Sequence, residues 1–199
     1  MAEAGPGPLL VVITGPSGVG KDSVLSRLKA LNRPYHFAVT ATTRSPRAEE
    51  IDGVDYFFVS DAQYDEMLAR GEFLENATVY EYRYGVPKPP IREALAGGND
   101  VVMRTDVQGA RYIKSVCPGA LTIFVMAPSW DELEWRLRSR ATDAPEQLEL
   151  RLRTARDELA AEGEFDHRVV NDDLNACVDA IEGVLAAERG RKGREAVRL

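Results

Sequence analysis

Apolar runs of strand length alternate along the chain with segments whose apolar residues recur at helical spacing. The first run, residues 9–14, is apolar almost throughout, which is typical of a strand that is covered on both faces. Apolar residues at 24, 25, 28 and 31 then predict a helix over about residues 20–31, which the segment 32–34 with its proline ends. The chain therefore begins with a buried strand, a glycine-rich turn and a helix.

The same alternation of strand and helix signals returns after residue 90 and continues almost to the end of the chain. Such a rhythm favours a parallel sheet with helices on both faces. Further strands are predicted over 36–40, 54–59, 100–105, 121–126 and 167–171, and further helices over 60–70, 91–95, 146–162 and 174–185, with two more that begin at 106 and 129.

Residues 36–90 differ in character from the rest and predict a small mixed lobe inserted into the parent domain. They contain a polar loop, short strands and many tyrosines, and the prolines over 85–90 are expected to end the lobe because they cannot continue a ladder. The rest divides into a core of 9–35, 91–135 and 157–189, a helical lid of 136–156 around a break at 141–145, a disordered tail at 1–8, and a basic tail at 190–199 that is expected to fray.

The composition fits one α/β domain of 199 residues with small inserted lobes, since 44% of the residues are hydrophobic. The net charge of −7 argues against general nucleic-acid binding, and no apolar run approaches the ~20 residues that cross a bilayer. Cys117 and Cys177 lack metal-ligand spacing and are expected to be unpaired thiols in a reducing compartment. Since residues 1–8 lack the pattern of a signal peptide, a cytoplasmic location without membrane or nucleic-acid partners is expected; the oligomeric state stays undecided.

The turn after the first strand carries the phosphate-binding pattern G-x-x-x-x-G-K from Gly15 to Lys21. Its glycines let the backbone N–H groups point inward at an anion, and the helix that starts near Gly20 adds its positive dipole end. Lys21 supplies a full charge for β- and γ-phosphate oxygens. The structural alternative is a glycine turn that only joins a strand to a helix. With the phosphate loop, the expected fold class is α/β, a P-loop NTPase-type parallel sheet with helices on both faces, a small mixed α/β lobe and a helical lid.

The residue after the P-loop lysine departs from the usual pattern. Asp22 stands where Ser or Thr is usual, and Ser23 follows one residue later. Ser23 is therefore a candidate Mg²⁺-side hydroxyl, and Asp22 has no evident role.

Two groups of arginines offer the cations that phosphoryl transfer requires. In the first group, Arg44 and Arg47 lie three residues apart in the polar loop, and Tyr56 and Tyr84 add hydroxyl donors. Together they suit the phosphate of an acceptor, because arginine binds phosphate through two parallel hydrogen bonds. The alternative is a solvated charged loop.

The second group flanks the break at 141–145 and resembles a lid that closes over a triphosphate. It consists of Arg136, Arg140 and Arg151. The alternative is surface ion pairing with Glu134, Glu146 and Glu149, which contributes about 0–1 kcal/mol per pair.

Over residues 9–187 the chain resembles the guanylate kinase family. The motif T-T-R-S-P-R at 42–47 matches that family's T-T-R-x-P-R signature, which is far more specific than the P-loop. The other matching motifs are G-P-S-G-V-G-K at 15–21, G-V-D-Y-F-F at 53–58, F-L-E at 73–75, Y-G at 84–85, D-V-Q-G at 106–109, P-S at 128–129, R-L-x-x-R at 136–140 and V-V-N-D-D at 169–173.

The resemblance implies a role for each matching position. For ATP it implies the P-loop residues Gly15, Pro16, Ser17, Gly18, Val19, Gly20, Lys21, Asp22 and Ser23, with Asn171 near the adenine. For GMP it implies Arg44, Arg47, Tyr56 and Tyr84 at the phosphate, Thr40 and Glu75 at the guanine, and Asp106 near the acceptor and the metal waters. As groups acting on the transferred phosphoryl it implies Lys21, Arg44, Arg136, Arg140 and Arg151.

The implied function is transfer of the γ-phosphoryl group of ATP to GMP or dGMP, with Mg²⁺, by direct in-line attack. Two further departures keep another acceptor open, such as ribose 1,5-bisphosphate or a different nucleotide. Val86 replaces the usual Ser or Thr, and Arg104 replaces the usual Asp or Glu two residues before Asp106. A non-catalytic phosphopeptide-binding module is the third interpretation, which the intact Lys21 disfavours.

Overall fold

The structure, a computed structural model, describes residues 7–79, 81–139 and 145–199. These ranges contain nine strands and seven α-helices. In chain order they are β1 (Leu10–Thr14), α1 (Lys21–Ala30), β2 (Tyr35–Phe37), β3 (Thr40–Thr42), β4 (Tyr56–Phe58), α2 (Asp61–Ala69), β5 (Phe73–Val79), β6 (Tyr82–Pro87), α3 (Lys88–Ala96), β7 (Asp100–Arg104), α4 (Val107–Val116), β8 (Ala120–Met126), α5 (Trp130–Ser139), α6 (Pro145–Leu159), β9 (His167–Val170) and α7 (Leu174–Gly190).

Five parallel strands form the central sheet, in the order β2-β7-β1-β8-β9. Successive residues of β1 are buried on opposite faces of this sheet. Val11 and Ile13 pack into the cluster that includes residues of α1, α5 and α7, whereas Leu10 and Val12 pack into the cluster that includes residues of α3 and α4. Helices therefore cover both faces, which explains the unbroken apolar run and confirms the predicted fold class.

A second sheet of four strands, in the order β4-β3-β6-β5, carries the tyrosine-rich segment. Helix α2 begins with the predicted capping box, in which Ser60 and Gln63 exchange side-chain and backbone hydrogen bonds. The helix buries Tyr64 against Phe73, with ring centroids 4.6 Å apart, and the Tyr64 hydroxyl donates to the Tyr84 carbonyl at 2.8 Å. The buried face of α2 thus fixes the backbone of β6.

Two details of the predicted lobe are wrong. The strand expected over 36–40 is two strands, of which β2 belongs to the central sheet and β3 to the second sheet, because the chain crosses between the sheets at residues 38–39. Strand β6 also continues to Pro87, which pairs with Phe73 at the end of the ladder. Proline is tolerated at that end, and the next two prolines lie in the first turn of α3, where their missing N–H groups cost little.

The tail at 190–199 was expected to fray, but it packs against the rest of the protein. The Arg198 amide donates to the Pro118 carbonyl at 3.1 Å, and Val197 and Leu199 pack against the core cluster beneath α3 and α4. These two apolar side chains are too close to the end of the chain to form a periodic pattern. In the parts of the chain that the structure describes, no helix has the length and apolar character needed to cross a membrane.

The backbone at Gly15 is set by the packing of β1 against β8. Gly15 has a φ of +138°, and a Cβ added there would lie 2.1 Å from the Val125 carbonyl oxygen. We expect Gly15→Ala to lower the free energy of unfolding by about 3 kcal/mol or more, because both the dihedral and the clash are unfavourable. Urea denaturation of the purified variants measures this change.

Gly183 in α7 is the matched control, because a Cβ added there meets nothing within 4 Å. Gly183→Ala is expected to raise the free energy of unfolding by about 0.5–1 kcal/mol through the higher helix propensity of alanine. Equal effects of the two substitutions would contradict this account of Gly15.

Candidate active site

The P-loop between β1 and α1 wraps around the side chain of its own lysine. The Lys21 Nζ donates to the carbonyl oxygens of Gly15 at 2.6 Å and Pro16 at 2.9 Å. Burial lowers the pKa of Lys21, and the nearby Glu158 carboxylate partly offsets this effect. The ammonium group is therefore held at the mouth of the loop by weak neutral acceptors.

A carboxylate from the far end of α6 lies at the same loop. Glu158 Oε2 accepts from the Ser17 amide at 3.2 Å, and Arg151 Nη2 donates to the Ser17 hydroxyl at 3.1 Å. Burial raises the pKa of Glu158. A P-loop amide thus already binds an anionic oxygen, in keeping with the chemistry predicted for this loop. No sequence motif indicated Glu158, which is 141 residues from Ser17.

A cavity of about 430 Å³, which is the main cavity of the candidate site, opens between the P-loop and the second sheet. It gathers residues predicted for both nucleotides, together with the two departures Val86 and Arg104. The predicted residues that line it are Ser17, Gly18, Gly20, Lys21, Asp22, Thr40, Tyr56, Glu75, Tyr84 and Asp106.

The backbone of β5 directs Glu75 to this cavity. The pairing of β5 with β6 shifts register between Phe73 and Glu75, and such irregularities re-aim side chains next to functional sites. On the opposite side, a Cβ on Gly109 would lie 3.1 Å from Glu75 Oε1, so glycine leaves room for the carboxylate. Burial and the nearby Asp106 raise the pKa of Glu75 to about 7.

The arginine loop is organised around a carboxylate that the sequence did not single out. Arg44 Nη2 donates to both carboxylate oxygens of Glu50, at 2.8 and 2.9 Å, and the Arg47 amide donates to Glu50 Oε2 at 2.8 Å. These hydrogen bonds lower the pKa of Glu50. The guanidinium carbon of Arg44 lies 5.5 Å from the ring centroid of Tyr56, which lines the cavity. Arg44 therefore lies behind Tyr56, and neither Arg44 nor Arg47 is among the residues that line the main cavity.

A second cavity, of about 360 Å³, lies on the other side of the P-loop. Gly18, Gly20, Ser23, Arg136 and Asn171 line it. The Asn171 Nδ2 donates to the Val19 carbonyl at 2.7 Å, and Arg136 Nη1 donates to the Asn171 carbonyl at 3.0 Å. Ser23 thus faces this second cavity, whereas Asp22 faces the main one.

The predicted lid is only partly visible. Arg140 and most of the break at 141–145 lie outside the described residues. Surface pairing of the kind considered as an alternative does occur on α5, where Arg138 contacts Glu134 at 2.7 Å and Glu149 at 3.9 Å. Arg136 instead pairs through its Nε with Glu132 at 2.7 Å, while its Nη1 donates to the Asn171 carbonyl.

The raised pKa of Glu75 gives a testable dependence of stability on pH. The folded state holds a proton on Glu75 up to about pH 7, whereas the ordinary value is 4.5, so this group's contribution to stability is lost as the pH rises between these values. Glu75→Gln removes that loss. We expect its free energy of unfolding, relative to the parent, to rise by about 1–2 kcal/mol from pH 5 to pH 8, after allowance for solvent screening.

Urea denaturation at four pH values measures this difference. Glu93→Gln, which removes an exposed carboxylate from α3, is the matched control for the loss of one negative charge. A relative stability of Glu75→Gln that stays flat or falls over this range would contradict the assignment.

Comparison with known proteins places these motifs in one family. Residues 8–188 match the family model described as "Guanylate kinase". The guanylate kinase of Gloeobacter violaceus is 48% identical over 179 residues, covering 90% of this chain and 87% of that protein, and the guanylate kinase of Clostridioides difficile is 40% identical over 186 residues, covering 94% and 91%.

A solved structure agrees with the sequence relatives. The crystal structure of guanylate kinase from Anaplasma phagocytophilum superposes with a TM-score of 0.74 at 27% sequence identity, covering 96% of this chain and 91% of that one. On the family match, the sequence relatives and the shared fold, this chain belongs to the guanylate kinase family.

Proposed function

We propose that this protein transfers the γ-phosphoryl group of ATP to GMP or dGMP and releases ADP and GDP or dGDP. The observation that carries the proposal is that one cavity is lined both by Lys21 of the P-loop and by Glu75, Tyr56 and Tyr84 of the second sheet. A phosphate donor held by the P-loop and an acceptor held by the second sheet would meet there.

On the donor side, the P-loop amides and Lys21 bind the ATP phosphates. The second cavity, with Ser23 and Asn171, suits the remainder of the nucleotide, since it lies directly behind Gly18 and Gly20. Arg151 donates to the Ser17 hydroxyl, which supports a role for it beside the phosphates.

On the acceptor side, Glu75 supplies the choice of base. The N1–H and the exocyclic amine of guanine donate to the Glu75 carboxylate and thereby favour its ionised form, whereas adenine has no N1–H to donate. Thr40 lines the same cavity and adds a hydroxyl. Arg44, Arg47, Tyr56 and Tyr84 bind the GMP phosphate, with Arg44 exchanging Glu50 for the phosphate oxygens.

The residues around Lys21 also fit a Mg²⁺ ion that accompanies ATP. Two carboxylates, Asp22 and Asp106, line the main cavity, and Mg²⁺ in kinases binds through one or two carboxylates, substrate phosphates and water. The ion would neutralise charge on the phosphate oxygens. Ser23, the hydroxyl first considered for this role, faces the second cavity.

Transfer proceeds by direct in-line attack without a covalent enzyme intermediate. Lys21, Arg44, Arg136, Arg140 and Arg151 neutralise the moving charge. Closure of the lobe at 36–90 and of the lid at 136–156 excludes water, which would otherwise accept the phosphoryl group.

The protein is proposed to work in the cytoplasm. Cys117 and Cys177 are buried free thiols, which suits a reducing compartment. The net charge of −7 supports the absence of a nucleic-acid partner.

A coupled assay of ADP release with ATP and a panel of acceptors tests the proposal. GMP and dGMP are expected to be turned over, with AMP, UMP and CMP at least about 100-fold poorer in kcat/KM because an unpaired Glu75 opposes them. Glu75→Gln is expected to lower kcat/KM for GMP and to reduce the ratio of kcat/KM between GMP and the other nucleotides. If neither GMP nor dGMP is turned over, the proposal is rejected in favour of another phosphorylated acceptor, such as ribose 1,5-bisphosphate.

A further inference from the structure

Two residues that depart from the family pattern contact each other in the structure. Arg104 ends β7 at the carboxyl edge of the sheet, and Asp22 lies in the first turn of α1. The Arg104 Nε lies 2.7 Å from Asp22 Oδ1. The contact links two positions that the sequence set apart, Asp22 directly after the P-loop lysine and Arg104 two residues before Asp106.

The pair stands where phosphate charge would gather. Among the described residues that line the main cavity, the acidic side chains are Asp22, Glu75, Asp106 and Glu158, and the basic ones are Lys21 and Arg104. Ionised carboxylates in such a cavity repel phosphate, so phosphate binding depends on the cations that face it. Arg104 is also close enough to Lys21 to contribute to the lowering of its pKa.

Asp22 holds Arg104 weakly. The side chains of Arg104 and Asp22 are 41% and 74% exposed, and ion pairs with such exposure contribute little to stability. The contact involves the Nε edge of the guanidinium, and within the described part of the chain the two Nη nitrogens make no hydrogen bond. Their donors remain available for phosphate oxygens, which guanidinium groups bind in pairs.

We propose that Arg104 is a further phosphate-binding residue of the main cavity, held in place by Asp22 until phosphate draws it away. Its ligand is the set of phosphate groups of donor and acceptor where the two molecules lie end to end. The identity of that ligand rests on the proposed function, but the phosphate chemistry of Arg104 does not. A charge effect without direct contact predicts that Arg104→Lys binds phosphate as the parent does, whereas this proposal predicts a loss because lysine lacks the paired donors of the guanidinium group.

Calorimetric titration with inorganic tripolyphosphate in EDTA provides the test, because the probe carries no base and no metal enters the comparison. Arg104→Gln is expected to weaken binding at least fivefold. Asp22→Asn is expected to strengthen binding, because it frees Arg104 and removes a negative charge. Arg104→Lys keeps the charge but not the paired donors, so its affinity should fall between those of the parent and Arg104→Gln.

Arg33 is the matched control, since it forms an exposed ion pair with Glu182 at 3.1 Å and does not line the main cavity. Arg33→Gln should change the affinity less than twofold. The proposal would be overturned if Arg104→Gln lowered the affinity for tripolyphosphate less than fivefold. It would also be overturned if Asp22→Asn lowered that affinity. If Arg104→Gln does not fold, Arg104→Lys replaces it in the comparison. Arg104→Lys should then lower the affinity for tripolyphosphate, whereas Asp22→Asn should raise it.

Turnover separates this proposal from the proposed function. If the parent phosphorylates GMP, Arg104→Gln should lower kcat/KM at least fivefold with Tm within about 2 °C of the parent. If the parent does not use GMP, the proposed function fails, while tripolyphosphate binding still decides the role of Arg104.

Discussion

Repulsion between the triphosphate of the donor and the phosphate of the acceptor is the constraint on which the site depends. The protein must offer positive charge and N–H donors to bring these groups together, yet polar groups in a folded chain are costly when they have no partner. In the described part of the chain, four of the groups proposed to bind phosphate already have an internal acceptor. The pairs are Lys21 with the Gly15 and Pro16 carbonyls, the Ser17 amide with Glu158, Arg44 with Glu50, and Arg104 with Asp22. If these groups bind phosphate as proposed, binding exchanges one partner for another, and its free energy is the difference between two sets of contacts.

Such an exchange needs a rigid frame, and the central sheet supplies it. Strand β1 is buried on both faces, so the P-loop begins from a fixed point. The loop is then confined from outside, because a Cβ on Gly15 would strike the Val125 carbonyl and a Cβ on Gly20 would lie 2.6 Å from the Asn171 side chain. Packing of the core thus determines where the loop's N–H groups point.

The parts of the fold that could be predicted from the sequence are those that depend on local residue patterns. The strand, P-loop and helix at the start, the capping box at Ser60 and the parallel α/β core all follow from short-range spacing, and the family model confirms the resemblance carried by T-T-R-S-P-R. The roles of the site residues remain predictions. The split of residues 36–40 between two sheets was missed, because a short β-prone segment does not reveal which sheet it joins.

The features of the site that could not be predicted from the sequence depend on contacts between residues that are far apart in the chain. Glu158 meets Ser17 across 141 positions, and no motif marks either carboxylate that holds the P-loop and the arginine loop. Asp22 and Arg104 were each recognised as unusual, but their contact joins the P-loop helix to the end of a different strand. Only the order of strands in the sheet brings those two positions together.

The central claim is that donor and acceptor meet end to end in the main cavity. The most direct measurement is inhibition by adenosine and guanosine joined 5′ to 5′ through a pentaphosphate. We predict competition against both ATP and GMP, with affinity at least about 100-fold above that of ATP alone, because one molecule then occupies two linked sites. Competition against only one substrate, or affinity no better than that of ATP, would contradict a shared cavity.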